Sequence, residues 1–250
     1  MASNLPLLEE AAAKLKHLLP EVVFVGGATL DLMVTDRGST PIRSTYDVDV
    51  IVAADYADYS AFCDRLRDIG FGNDTRPHAP LCRFLHGELM LDVMPTQKGV
   101  LGFSNRWYEG AIRTATPATL PSGNVIRLIA APFFLGTKME AFYDRGENDY
   151  YMSHDLEDFI AVVDGRERLL EELAEVPADL CQYLGEAASK LLANERFLEA
   201  LPGYVPGDPV SQRRVAIILE RLKTISKLEA MEPFHSYKEI ATRDQAREAD

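Results

Sequence analysis

Tyr46-Asp47-Val48-Asp49-Val50-Ile51-Val52 is the stretch whose reading decides the fold. Acidic and aliphatic residues alternate and then run apolar, as in a half-buried strand. Successive strand side chains point to opposite faces, so Asp47 and Asp49 project together, roughly 6.5–7 Å apart along the backbone. Two acids on one face of an apolar strand are costly to keep ionised without compensation. Magnesium, or manganese in its place, supplies that compensation because it prefers carboxylate and phosphate oxygens. Leu91-Asp92-Val93 repeats the design with a single acid. If the two strands are neighbours, three carboxylates converge. That set can hold two ions about 3.5–4 Å apart and clamp an in-line phosphoryl displacement.

Upstream, Val25-Gly26-Gly27-Ala28-Thr29 follows the apolar run Glu21–Val25. A glycine pair between a strand and a helix start lets the backbone approach a phosphate and aims helix N–H groups at the anion. A tight strand–helix turn explains the pair equally well. The rest of the first half reads as a helix at 28–34, turn chemistry at 36–41, a helix at 57–69 ending at Gly70, and strands at 81–86 and 88–94 pivoting on Gly87. A further strand pair is expected at 110–116 and 124–129. From Pro132, which suits a first helical turn, helices are expected at 132–145, 153–163, 166–175, 178–192 and 209–231, with a polar, frayed end at 232–250. The fold class is therefore α/β (α+β): a mixed-sheet domain over residues 1–130, then a helical domain over 131–250 that completes the site.

With 47% apolar and 26% charged residues, the 250-residue chain can build a real core. The longest apolar run, Leu128–Leu135, falls far short of the roughly 20 residues of a membrane span. The N-terminus carries Glu9 and Glu10 ahead of its first lysine and reads as an amphipathic helix rather than a signal. A cytoplasmic protein with no membrane partner is expected. The net charge of −13 argues against a surface coated for nucleic acid. Cys63, Cys82 and Cys181 are scattered and read as reduced, structural thiols.

The glycine pair, the Asp-x-Asp strand and Leu-Asp92-Val together resemble the nucleotidyltransferase superfold of DNA polymerase beta. Within it they are most similar to the AbiEii/AbiGii-type nucleotidyltransferases of bacterial toxin–antitoxin systems. That resemblance rests on Gly26 to Leu30, Arg43-Ser44-Thr45-Tyr46-Asp47, the Lys138–Arg145 segment and the Ser153–Asp158 segment, and covers about residues 21–163. The gap between Gly27 and Asp47 is longer than in minimal members of the fold. The resemblance implies a nucleoside triphosphate substrate, transfer of a nucleoside monophosphate, two divalent ions on Asp47, Asp49 and Asp92, and an acceptor such as the 3′ end of tRNA or a protein. It also implies a cognate toxin or antitoxin partner. A small-molecule acceptor and a catalytically silent nucleotide-binding module remain as alternatives.

Other residues carry two readings each. Lys138 and Arg145, seven apart, share a helix face about 10 Å apart, where they would grip a triphosphate or face solvent. Asp155 matches the last acid of the resemblance, yet acids after the N-cap Ser153 also stabilise a helix dipole. Arg43, Ser44 and Thr45 stand where they would bond a γ-phosphate or cap a turn. Trp107 and Tyr108 would stack a base or fill the core. Helix 209–231 has Arg213, Arg214, Arg221, Lys223 and Lys227 against Glu220 and Glu229, either an RNA-facing patch or a solvated face.

Overall fold

A computed structural model describes residues 3–146 and 149–230. Seven strands, β1 (Val22–Val25), β2 (Asp47–Val52), β3 (Gly72–Asn73), β4 (Arg83–His86), β5 (Leu89–Pro95), β6 (Thr116–Thr119) and β7 (Val125–Leu128), form one mixed sheet in the order β3-β4-β5-β2-β1-β7-β6. The helices are α1 (Leu5–Leu15), α2 (Leu30–Met33), α3 (Tyr56–Asp68), α4 (Lys98–Leu101), α5 (Tyr108–Arg113), α6 (Ala131–Arg145), α7 (His154–Gly165), α8 (Leu169–Leu173), α9 (Ala178–Leu192), α10 (Glu195–Ala200) and α11 (Arg214–Ser226). The protein is a mixed α/β molecule whose helices dominate after residue 130.

Strand alternation sorts the core into two layers. Val22, Phe24, Val48, Val50, Val52, Leu91 and Val93 pack with Leu8, Leu15, Phe62 and Leu66 of α1 and α3. Val23, Val25, Ile51 and Met94 face the other way, into the layer with Phe133, Phe134 and Met139 of α6 and Leu156 and Phe159 of α7. Asp47 and Asp49 share parity with Ile51, and Asp92 shares it with Met94. All three acids therefore face α6 and α7. The parallel pairing of β2 with β5 sets Asp49 directly against Asp92, while antiparallel β1 sets Val25 against Asp49.

The Gly87 hairpin forms as expected, pairing His86 with Leu89, and Gly87 takes a φ of 63°. The expected strand at 110–116 is an error of period. Residues 108–113 are helix α5, with Gly110 against the Phe133 ring, and the strand starts only at Thr116. Such a short run has too few apolar residues to separate a repeat of 2 from one of 3.6. The helix expected at 28–34 is a 3₁₀ turn, Gly27–Thr29, followed by the single turn α2. Helix 209–231 is α11 flanked by 3₁₀ turns, and its last residue, like 232–250, lies outside the described residues. No helix among the described residues is long and apolar enough to cross a membrane.

Fully buried Asp164, in the last turn of α7, ties the long 36–46 loop to the helical layer. It accepts from Thr40 N and Oγ1 at 3.0 Å each and from Arg214 Nε at 2.7 Å, while Arg214 Nη2 also bonds Asp36 at 2.6 Å. Removing one member of a buried pair leaves an uncompensated charge. Asp164→Ala is expected to cost about 3 kcal/mol in urea denaturation. A loss under ~1 kcal/mol would mean that Asp36 alone holds Arg214.

Candidate active site

The acids lie where two lobes of a cleft meet. One lobe, about 570 Å³, is lined by Gly26, Met94, Phe103, Tyr108, Glu140 and others. The second, about 560 Å³, is lined by Gly27, Arg43, Thr45, Asp47, Arg83, Ser153 and His154 among others. Asp49, Asp92, Lys138, Arg145 and Asp155 line both.

Arg83 on β4 stands opposite Asp92 in the ladder and clamps two acids. Its Nε donates to Asp92 Oδ1 and its Nη2 to Asp92 Oδ2 and to Asp47 Oδ2, all at 2.7 Å. These bonds, those to Asp92 foremost, raise the Arg83 pKa. Thr45 Oγ1 donates to the remaining Asp47 oxygen at 2.8 Å. Asp49 accepts no hydrogen bond among the described residues. Burial first, and the Asp47 charge second, push its pKa up to about 7, against the pull of Lys138.

Across the cleft, Lys138 is buried rather than on a solvated face, with 8% exposure. Its Nζ lies 3.1 Å from Asp155 Oδ1 and 2.7 Å from Asp158 Oδ2. Arg145 bonds both Asp155 oxygens at 3.0 and 3.1 Å. Arg43 grips Asp158 with Nε at 2.6 Å and Nη2 at 2.8 Å. Three cations thus share two carboxylates. Burial opposes the Lys138 charge, but Asp158 and Asp155 more than offset it and its pKa is raised. For Asp155 and Asp158, burial is likewise outweighed by Lys138 and the arginines, so both pKa values are lowered.

The glycine pair makes room for side chains. Gly26 has φ 72°, and a Cβ there would collide with Asp49 Oδ2. A Cβ at Gly27 would stand 2.7 Å from Arg43 Nη2. Asn4 fixes the lead into β2, donating from Nδ2 to Arg43 O and accepting from Thr45 N, each at 3.1 Å.

Of the residues expected at the site, Gly26, Gly27, Arg43, Thr45, Asp47, Asp49, Asp92, Lys138, Arg145 and Asp155 line the cleft, while Ser44 is exposed and lines neither lobe. Trp107 is core, its ring 5.1 Å from that of Tyr183; Tyr108 lines the first lobe. Two of the five cations in the α11 patch are committed internally, and a third is paired at the surface. Arg214 holds Asp164 and Asp36, Arg221 bonds Val163 O and Asp164 O, and Lys223 pairs with Glu220. Arg83 and Asp158 were not among the expected site residues. A tight hairpin at Gly87 already pairs 83 with 92, so Arg83 was within reach of the sequence. The partnership of Asp158 with Arg43 spans 115 positions and was not.

No family model matches the chain, and no curated protein matches it. Among solved structures, JHP933 from Helicobacter pylori is similar at TM-score 0.48 and 13% identity, over 98% of this chain and 97% of that one. A candidate nucleotidyltransferase from H. pylori is similar at TM-score 0.48 and 14% identity, over 92% and 96%. At such levels the chemistry has to be read from the side chains themselves.

Gly26→Ala is expected to cost roughly 2–4 kcal/mol, the sum of left-handed backbone strain and overpacking. Urea titration of the double variant with Asp49→Ala is expected to return much of the overpacking part. Asp158→Asn is expected to cost about 3 kcal/mol at pH 7, because Arg43 loses its carboxylate and buried Lys138 keeps only Asp155. The wild-type carboxylate stabilises fully above its unfolded pKa of about 3.9. That contribution is lost as pH falls through the lower folded value, so melting curves of wild type and variant converge in acid and stay apart above about pH 5.

Proposed function

We propose that the protein is a metal-dependent nucleotidyltransferase that moves a nucleoside monophosphate from a triphosphate to an acceptor hydroxyl. The reading rests on one observation. Three carboxylates on adjacent strands face a paired lysine and arginine across a cleft with two lobes, one with room for a nucleotide and one for an acceptor.

The donors suit a hard divalent ion by type. The oxygens are hard donors and Asp49 is an uncompensated half-buried acid. A guanidinium already serves as a cation between the other two. Among the described residues no three acidic, His or Cys side chains form a ready metal cluster. The residues therefore fit magnesium or manganese once Arg83 withdraws. Asp47, Asp49 and Asp92 would then hold it, and an ion there would polarise the phosphoryl oxygens and offset charge on the departing pyrophosphate.

The chain's own residues supply the rest. Lys138 and Arg145, held in place by Asp155 and Asp158, present N–H donors to the triphosphate. The ion-pair chain, buried at Lys138, Asp155 and Asp158 and open to solvent at Arg145, orients those cations before the substrate arrives. Phe103 and Tyr108 give the first lobe aromatic surface suited to a base.

For the acceptor, the 3′ end of tRNA within an AbiEii-type toxin–antitoxin system is the first reading. A polypeptide hydroxyl is the second, favoured by the rim of the second lobe. Tyr46, Leu81 and Met152, each next in sequence to a residue lining that lobe, are 80%, 73% and 76% exposed. The internal commitment of two of the α11 cations also weakens the RNA reading.

Incubation of the protein with each labelled triphosphate, magnesium and total tRNA or cell lysate tests the reading. Label is expected on a macromolecule with wild type and reduced at least ~100-fold in the Asp47→Ala, Asp49→Ala double variant. A steep fall of acceptor binding with salt would identify RNA. No label with any nucleotide, together with no magnesium-dependent nucleotide binding, would favour a silent module.

A further inference from the structure

We infer that Arg83 is an exchangeable cation: it holds the place of a divalent ion between Asp47 and Asp92 and moves onto the triphosphate when metal takes the acids. The inference rests on the nucleotidyltransferase reading and deepens it by assigning the ion-free state of the site.

An inventory of oxygens carries it. Asp47 and Asp92 have four carboxylate oxygens between them. Arg83 donates to three of these and Thr45 to the fourth. Every one of the four oxygens thus already accepts a hydrogen bond, and three of those bonds come from the same guanidinium. A bridging ion needs those same oxygens at about 2.0–2.1 Å. It also brings positive charge against a guanidinium in a gap where Arg83 has 17% and Asp92 11% side-chain exposure. Ion and guanidinium are mutually exclusive there.

Arg83 differs from the other cleft cations in its partners. Lys138, Arg145 and Arg43 are paired with Asp155 and Asp158, which stand apart from the strand acids. An incoming ion leaves those pairs intact, whereas Arg83 loses every carboxylate it holds. It already lines the second lobe beside Arg43 and Arg145. A planar guanidinium suits two phosphate oxygens as well as it suits a carboxylate. Metal bound to a triphosphate brings both halves of the exchange at once, cation for the acids and anion for Arg83. A free ion brings only the first half, so free metal binds weakly and the site assembles with its substrate.

Binding of Mn²⁺ alone to the full chain, read by electron paramagnetic resonance of the free ion, tests this in wild type, Arg83→Met and Arg83→Lys. Thermal melts in chelator confirm that each is folded. Arg83→Met is expected to bind Mn²⁺ about tenfold or more tightly than wild type, since charged hydrogen bonds no longer compete. Arg83→Lys, with a point charge and no fork, is expected in between. Equal or weaker binding by a folded Arg83→Met makes Arg83 a fixed staple and overturns the exchange while metal binding stands. No Mn²⁺ on either protein sinks the metal-dependent reading as well. If Arg83→Met does not fold, the Arg83 Nε–H resonance of wild type, assigned by its loss in Arg83→Lys, is followed instead. It is expected to shift with magnesium and tripolyphosphate together; an unchanged resonance at saturation overturns the exchange.

Discussion

Three carboxylates set side by side on one face of a sheet are the constraint on which the rest of the site depends. Neighbouring strands lie only about 4.8 Å apart, and Asp49 and Asp92 are direct ladder partners. Like charges so close in half-buried surroundings have to be answered by cations or by protons. Both answers are present. Arg83 bridges Asp92 and Asp47, and Asp49 has its pKa pushed up to about 7 by burial first and by the Asp47 charge second.

The far wall solves the opposite problem. Lys138 is a buried ammonium, and burial would discharge it without Asp155 and Asp158 one turn apart on α7. Two acids would in turn be excessive for one lysine, and Arg145 and Arg43 close the chain at either end. The result is an alternating row of charges, with Glu157 a further carboxylate 4.0 Å from Arg43 at its end. The pairs of Lys138 with Asp155 and Asp158 are buried, whereas the Arg145 end is solvent-exposed and screened. Helices α6 and α7, which carry the buried members, pack into the core shared with the sheet.

The backbone is shaped to the same end. Gly26 and Gly27 open space for the Asp49 carboxylate and for the Arg43 guanidinium, so the pair serves side chains first. Asn4, just ahead of α1, fixes the segment that carries Arg43 and Thr45. Asp164 and Arg214 hold the preceding loop against α7 and α11. A loop of this length would otherwise leave Arg43 without a defined position.

Local periodicity alone determined that β2 and β5 are strands, that their acids share a face, that the Gly87 hairpin forms and that α6, α7 and α9 are helices. Those properties depend on residues a few positions apart, where the repeat of 2 or 3.6 is visible. The short segment at 108–113 escaped because one and a half turns cannot display a repeat. Only the tertiary structure decided which cation meets which acid. Lys138 and Arg145 read equally well as a solvated face until α7 packs beside them, and the α11 cations read as a patch until Asp36, Asp164 and backbone carbonyls of α7 claim two of them. Charge pairing acts over a few ångströms in space and is blind to distance along the chain, so sequence spacing carries no record of it.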